Sequence, residues 1–145
     1  MKLKSNPLNL NTRLYFAYGA NMPIEHMQWR CPDATPIGAL YLRDWRLVFC
    51  NHATIEPAPG HRVPGCLWNI TPRCERELDL FEGFPHYYNK MWLEQDGDTF
   101  MCYDMNPPLS YSAPAPSYVD TLQQGYYDWE LNNEYLDEAL YYGID

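Results

Sequence analysis

Leu14-Tyr15-Phe16-Ala17-Tyr18, followed by Gly19-Ala20-Asn21-Met22-Pro23, is the stretch on which the fold turns. Its first five residues form an unbroken apolar, aromatic-rich run, which reads as a strand buried in the middle of a sheet. Gly19 to Met22 break that run. Pro23 sits where a helix can begin, with Asn21 or Met22 near the cap, and residues 23–29 supply about two helical turns. A strand that breaks directly into a helix leaves several backbone N–H groups unpaired and adds the positive potential of the helix start. That arrangement suits a carboxylate or an oxyanion. The same junction also occurs as a plain turn, for steric reasons alone.

Outward from this junction, Ala39–Leu42 and Trp45–Phe49 read as two strands around Arg43-Asp44. Residues 51–64 hold three prolines and a glycine and are expected to be a loop, before a further strand over Gly65–Ile70. Thr71-Pro72 opens a helix, with a hydroxyl at the cap and proline at the first helical position. Cys74, Leu78 and Phe81 then recur at i, i+4 and i+7 as one buried face, and Gly83 and Pro85 end the helix. Tyr87–Glu94 and Thr99–Met105 flank Gln95-Asp96-Gly97-Asp98, a hairpin signal. Residues 106–117 carry four prolines and form an irregular connector. Tyr118–Gln124 reads as a short helix stopped by Gly125, and Asn133–Tyr142 as another, with Leu136 and Leu140 inward. The expectation is an α+β domain over residues 13–145, with a small mixed or antiparallel, barrel-like sheet flanked by helices. A polar extension, residues 1–12, precedes it.

A length of 145 residues fits one domain, and 46% hydrophobic with 16% aromatic residues excludes disorder, collagen and coiled coil. No apolar run approaches the roughly 20 residues that span a bilayer, and the first residues lack the apolar core of a signal peptide. A soluble, cytoplasmic protein with no membrane partner is expected. The net charge is −9, and all ten basic residues lie within residues 1–90, leaving eleven acidic ones unopposed over 91–145. Such a chain repels phosphate backbones, so no nucleic-acid partner is expected, and the acidic run reads as solvated helix surface. Five scattered cysteines without a Cys-x-x-Cys pair read as core residues rather than metal ligands. No metal is expected. The oligomeric state stays open.

Glu82 ends the helix that starts at Thr71, among Phe81, Phe84 and Gly83. The negative end of a helix disfavours an ionised carboxylate, and burial under the phenylalanines would add to that, raising the pKa toward neutrality. A carboxyl tuned in this way can accept and return a proton at cellular pH. The plainer reading is a solvent-facing glutamate at a frayed helix end. Asp79, three residues earlier, competes for the same role, and residue physics does not separate the two.

Together these stretches carry a resemblance. Tyr15 to Met22, then Pro64 to Ile70, then Leu78-Asp79 through Glu82-Gly83-Phe84-Pro85-His86-Tyr87-Tyr88, and last Pro116-Ser117-Tyr118 with Gly125, resemble the gamma-glutamylcyclotransferases in order and spacing. These are small enzymes with a strand-rich, barrel-like fold. The resemblance implies that Tyr18, Gly19, Ala20, Asn21 and Met22 hold a gamma-glutamyl group and that Glu82 is the general acid/base. It puts Tyr88 and Tyr118 at pocket positions. It also implies an intramolecular aminolysis of a small-molecule gamma-glutamyl amide, yielding 5-oxoproline and an amine or amino acid without metal or organic cofactor. The family loop usually carries serine or threonine where this chain has Ala20, a loss of one hydroxyl hydrogen bond on the order of 1 kcal/mol. A protein that binds gamma-glutamyl ligands without turnover is the alternative, favoured by Ala20 and by the acidic second half. A third is a related enzyme acting on a biosynthetic intermediate or a protein side-chain adduct.

Overall fold

The computed structural model describes residues 11–144; the proposed polar extension lies outside them except for Asn11 and Thr12. Five strands form one sheet in the order β2-β3-β1-β5-β4. The apolar run that opens the chain is β1 (Arg13–Ala17), and it occupies the middle position. It pairs antiparallel with β3 (His52–Ile70) and parallel with β5 (Asp98–Met105). Phe16 and Ala17 are fully buried there, as a strand covered on both faces requires.

β2 (Thr35–Cys50) and β3 form one long hairpin that turns at Asn51, a residue at φ 68°. This corrects two expectations. Arg43-Asp44 does not separate two strands. It is a bulge within one, with Asp44 at φ 67° and its carboxylate accepting from the Gly60 N–H. Residues 52–64 are likewise strand rather than loop, despite Pro57, Pro59 and Pro64. This half of β3 pairs only with β2, because β1 covers just Cys66–Ile70, so its second edge is open and tolerates residues that cannot donate.

β4 (Tyr88–Gln95) and β5 make the expected hairpin, with Asp96 at φ 53° and Gly97 at φ 88° as its two central residues. Two positive φ values in succession give the turn whose twist matches the strands. The edge strands β2 and β4 share no backbone ladder. Gln95 bridges them instead: Oε1 accepts from the Arg43 N–H at 2.9 Å and Nε2 donates to the Tyr41 carbonyl at 3.0 Å. Beside it the Arg43 guanidinium pairs with the Asp96 carboxylate, the two oxygens 2.7 and 3.2 Å from its nitrogens, so the barrel-like expectation is met as an open sheet latched by side chains.

The helices are α1 (Ile24–Arg30), α2 (Pro72–Glu82), α3 (Pro116–Asp128) and α4 (Asn133–Tyr141). Thr71 caps α2 by accepting from the Cys74 N–H. Gly83, at φ 67°, ends it: the Phe84 N–H reaches the Asp79 carbonyl and the Gly83 N–H reaches that of Leu80. Cys74 and Leu78 are buried as expected, but Phe81 is 47% exposed. The last turn of α2 overhangs a cavity rather than the core. α3 also departs from expectation, running straight through Gly125. A Cβ at that position would lie 2.6 Å from the Met22 Cβ, so the glycine serves close packing of α3 on the loop after β1, not helix termination.

All five cysteines are buried and free. No helix among the described residues is long and apolar enough to cross a membrane. Asp120, Glu130, Glu134, Asp137 and Glu138 are exposed, so most of the acidic second half is solvated surface.

Candidate active site

A cavity of about 690 Å³ opens where β1 ends, bordered by the loop after it, the last turn of α2 and the start of α3. Tyr18, Gly19, Ala20, Asn21, Glu82, Tyr88 and Tyr118 all line it. Seven of the eight residues singled out in the sequence therefore converge. Met22 does not. Its side chain is fully buried beneath the loop, and its N–H is spent on the Gly19 carbonyl at 3.1 Å, closing a turn over Ala20 and Asn21. The N–H groups of Ala20 and Asn21 have no acceptor among the described residues. The receptive part of the loop is thus narrower than residues 18–22.

α3 fixes this loop from behind. The Trp129 indole N–H donates to the Met22 carbonyl at 2.6 Å, and Asp128 accepts from the Ile24 N–H at 3.0 Å. The Trp68 indole, edge-on to that of Trp129 with ring centroids 5.6 Å apart, donates its N–H to the Asn21 carbonyl at 3.2 Å.

Tyr88 and Tyr118 grip one peptide residue between them. The Tyr88 hydroxyl donates to the Ala53 carbonyl at 2.5 Å, and the Tyr118 oxygen accepts from the Ala53 N–H at 3.1 Å. Tyr118 keeps its own proton available for a guest, and its oxygen would lie 3.3 Å from a Cβ placed on Gly19. The Tyr18 hydroxyl donates to the Tyr103 carbonyl at 2.6 Å, so its role in the wall is structural. Burial raises the pKa of all three phenols above the ordinary value, and they act as neutral hydroxyls.

Glu82 is half-buried in this wall of phenols. Desolvation lifts its carboxyl to about 7, with the Arg30 guanidinium pulling the other way. The phenylalanines expected to bury it are engaged elsewhere. Phe81 carries Arg30 on its ring face at 3.6 Å, and Phe84 carries Lys90 at 4.4 Å. Instead, Glu82 faces tyrosines and Asn21, whose Nδ2 donates to Oε1 at 3.2 Å. The same nitrogen donates to the Tyr15 hydroxyl at 3.0 Å, and Oδ1 accepts from Arg30. Asn21 is 2% exposed. With both ends of its amide engaged, its side chain holds the wall rather than a guest.

Geometry also separates the two carboxylates that the sequence left level. Asp79 accepts from the Tyr103 hydroxyl at 2.5 Å and from Lys90 Nζ at 3.0 Å, and it does not line the cavity. Lys90 in turn pairs with Glu75, which also pairs with Arg13.

The cavity also includes residues to which the sequence assigned no pocket role: Tyr15, His26, Arg30, His52, Tyr87 and Tyr103. His52 Nδ1 and the Tyr87 hydroxyl are 2.8 Å apart at the mouth. The resemblance quoted His86-Tyr87-Tyr88 but singled out only Tyr88. Nothing local marks His52 or Arg30, which arrive from a hairpin tip and the end of α1. No group of three or more metal-ligating side chains occurs among the described residues.

The chain matches the family model described as gamma-glutamyl cyclotransferase, AIG2-like, over residues 15–129. A gamma-glutamylcyclotransferase of Bos taurus is 34% identical over 82 residues, 48% of this chain and 44% of the bovine one. The Homo sapiens protein of the same name matches with the same figures. The matched part thus spans somewhat under half the length of these curated relatives. Among solved structures, a gamma-glutamyl cyclotransferase superposes with a TM-score of 0.78 at 26% identity, covering 92% of this chain and 89% of that one. The uncharacterized protein loc79017 from Homo sapiens gives a TM-score of 0.78 at 27% identity over 93% and 90% of the two chains. YkqA from Bacillus subtilis shares the fold, with a TM-score of 0.73 at 20% identity, over 88% of this chain and 52% of its own.

Proposed function

The chain belongs to the gamma-glutamyl cyclotransferase, AIG2-like family, and from that premise we propose that it cyclises a gamma-glutamyl amide to 5-oxoproline, releasing an amine or amino acid, with Glu82 as general acid/base. The observation that carries this reading is the Glu82 carboxyl, which faces the cavity with the Asn21 amide as its hydrogen-bond donor and is raised to about 7 by burial. Near neutral pH such a group is populated in both protonation states, which suits a step that must both remove and return protons.

In this mechanism the substrate folds so that its α-nitrogen faces its own γ-carbonyl carbon, and proximity supplies much of the rate. Glu82 takes a proton from the α-ammonium. The freed amine attacks the carbonyl, the ring C–N bond forms, and negative charge collects on the former carbonyl oxygen. Glu82 then protonates the nitrogen of the original amide, that C–N bond breaks, and the lactam closes. Two protons leave the α-nitrogen in all, and two arrive on the departing amine, with one carboxyl handling them in succession. The N–H groups of Ala20 and Asn21 and the free proton of Tyr118 are donors available to the oxyanion or to the α-carboxylate. Alanine at position 20 keeps its N–H, so the departure from the family pattern removes one side-chain bond and leaves the backbone donor in place.

Incubation with a panel of gamma-glutamyl amino acids and amines, assayed for 5-oxoproline, tests the reading. Product is expected from at least one member, and Glu82→Gln, which cannot carry the proton, is expected to lower its formation on the order of a thousandfold. Full turnover by that variant would falsify the mechanism. Ligand-induced rise of the melting temperature without any product would favour a binding protein.

A further inference from the structure

We propose that Arg30 is a positioning residue for Glu82, acting through Asn21: it locks the Asn21 amide so that its N–H end holds one carboxyl oxygen and the other oxygen is left to the substrate. This rests on the acid/base reading of Glu82 given above.

The argument begins with donors and acceptors. Arginine offers only donors, so the Asn21 atom facing Arg30 must be Oδ1. That choice sends Nδ2 to the other side, where it meets Oε1 of Glu82 and the Tyr15 hydroxyl. If the amide turned over, its carbonyl would face the carboxylate and repel it. Asn21 is buried, and its own carbonyl is tied to Trp68, so the residue cannot shift to escape this choice. Arg30 is itself held over the Phe81 ring, its guanidinium carbon 3.6 Å from the ring centroid. The resulting chain, Phe81 to Arg30 to Asn21 to Glu82, begins and ends on neighbouring residues of α2. It leaves Oε2 of Glu82 as the oxygen not engaged by the relay.

The charge of Arg30 adds a second effect. The groups facing Glu82 are Tyr15 and Tyr18 from the end of β1, Tyr87 and Tyr88 around the start of β4, Cys102 on β5 and Tyr118 on α3. Burial keeps each of these neutral. His26 and His52 border the same cavity. Among the described residues, Arg30 is the one arginine or lysine that lines it, and it opposes the upward push of burial on the carboxyl.

Two variants, read side by side, test this. Arg30→Gln offers Asn21 both a donor and an acceptor and so releases the amide's orientation; Arg30→Lys keeps a donor-only, positive partner. Arg30→Gln is expected to lower kcat on the order of tenfold to a hundredfold with little change in KM. It should also move the acid limb of the kcat/KM profile up by about one pH unit. Arg30→Lys is expected to recover most of both. The carbon-13 shift of the Glu82 carboxyl, titrated in ligand-free protein, should show the same upward move. Three results overturn the proposal: a rise in KM with kcat unchanged, which makes Arg30 a direct substrate contact; equal losses in the two variants; or a Glu82 titration that does not move. If the wild-type protein forms no 5-oxoproline from any substrate, the reading of the activity falls, and the carboxyl titration alone then decides whether the relay exists.

Discussion

Asp79 and Glu82 sit less than one turn apart on the same helix, yet their surroundings oppose one another. Asp79 has a phenol and an ammonium within hydrogen-bond reach, and Lys90 ties it into a network with Glu75 and Arg13. Glu82 has one amide donor from Asn21 and a cavity in front of it. Both are partly buried. The lesson is that burial alone does not make a carboxyl available for chemistry. What matters is how many of its acceptor sites the protein leaves unmet, and Glu82 is the one left wanting.

The sharpest way to break this comparison is to neutralise each in turn. Glu82→Gln is expected to cost turnover on the order of a thousandfold, in line with loss of a positioned proton carrier. Asp79→Asn, which removes no cavity group, should cost less than about tenfold. Similar losses from the two, measured as 5-oxoproline release under single-turnover conditions, would erase the distinction.

A second test uses stability and has a definite sign. The folded-state pKa of Glu82 is raised, so between the unfolded value of 4.5 and about 7 the folded protein binds more protons than the unfolded chain. The contribution of Glu82 to stability is therefore fully present below the unfolded value and is lost as pH rises through about 7. Glu82→Gln should match the wild type in acid and exceed it above neutrality by at most on the order of 3 kcal/mol. Urea unfolding at two pH values reads this directly. A variant that is less stable at high pH would show that Glu82 is as well partnered as Asp79.

Asp79→Asn should behave in the opposite sense. It leaves Lys90 short of a partner and is expected to lose about 1–2 kcal/mol at neutral pH, seen as a lower urea midpoint. The smallest effect belongs to the far wall. Tyr118→Phe removes the acceptor of the Ala53 N–H and one donor facing the cavity, for about 1 kcal/mol of stability. The same change should raise KM more than it lowers kcat.

What the sequence made legible was local. The β1 run, the Asp96-Gly97 turn, the Thr71-Pro72 cap and the Gly83 terminus each depend on residues within a few positions of one another, and each was readable. Glu82 could be singled out because helix end, glycine and aromatics lie in one segment. The reason offered for its raised pKa was only half right, because Phe81 and Phe84 face cations instead of the carboxyl. Arg30, Tyr103 and His52 carry no local mark, and only the pairing of distant strands and helices brings them to the cavity. Residues 52–64 misled for a related reason. Prolines signal a loop unless one edge of the strand is free, and that freedom is decided by where β1 stops. Gly125 misled because a glycine that ends a helix and one that admits a neighbour look alike in a single sequence.

That last glycine has a consequence for the order in which the molecule is made. The loop at residues 19–22 leaves the ribosome early, yet Gly125, Asp128 and Trp129, which hold it in shape, are synthesised about a hundred residues later. A nascent chain halted before α3 would already contain Glu82, Arg30 and Asn21, but nothing would press on Met22 from behind. The restraints on this loop are therefore complete only once residues 125–129 are in place. Truncation before α3 would leave every proposed proton-handling residue in the chain and remove the contacts that Gly125, Asp128 and Trp129 make with the loop beside them.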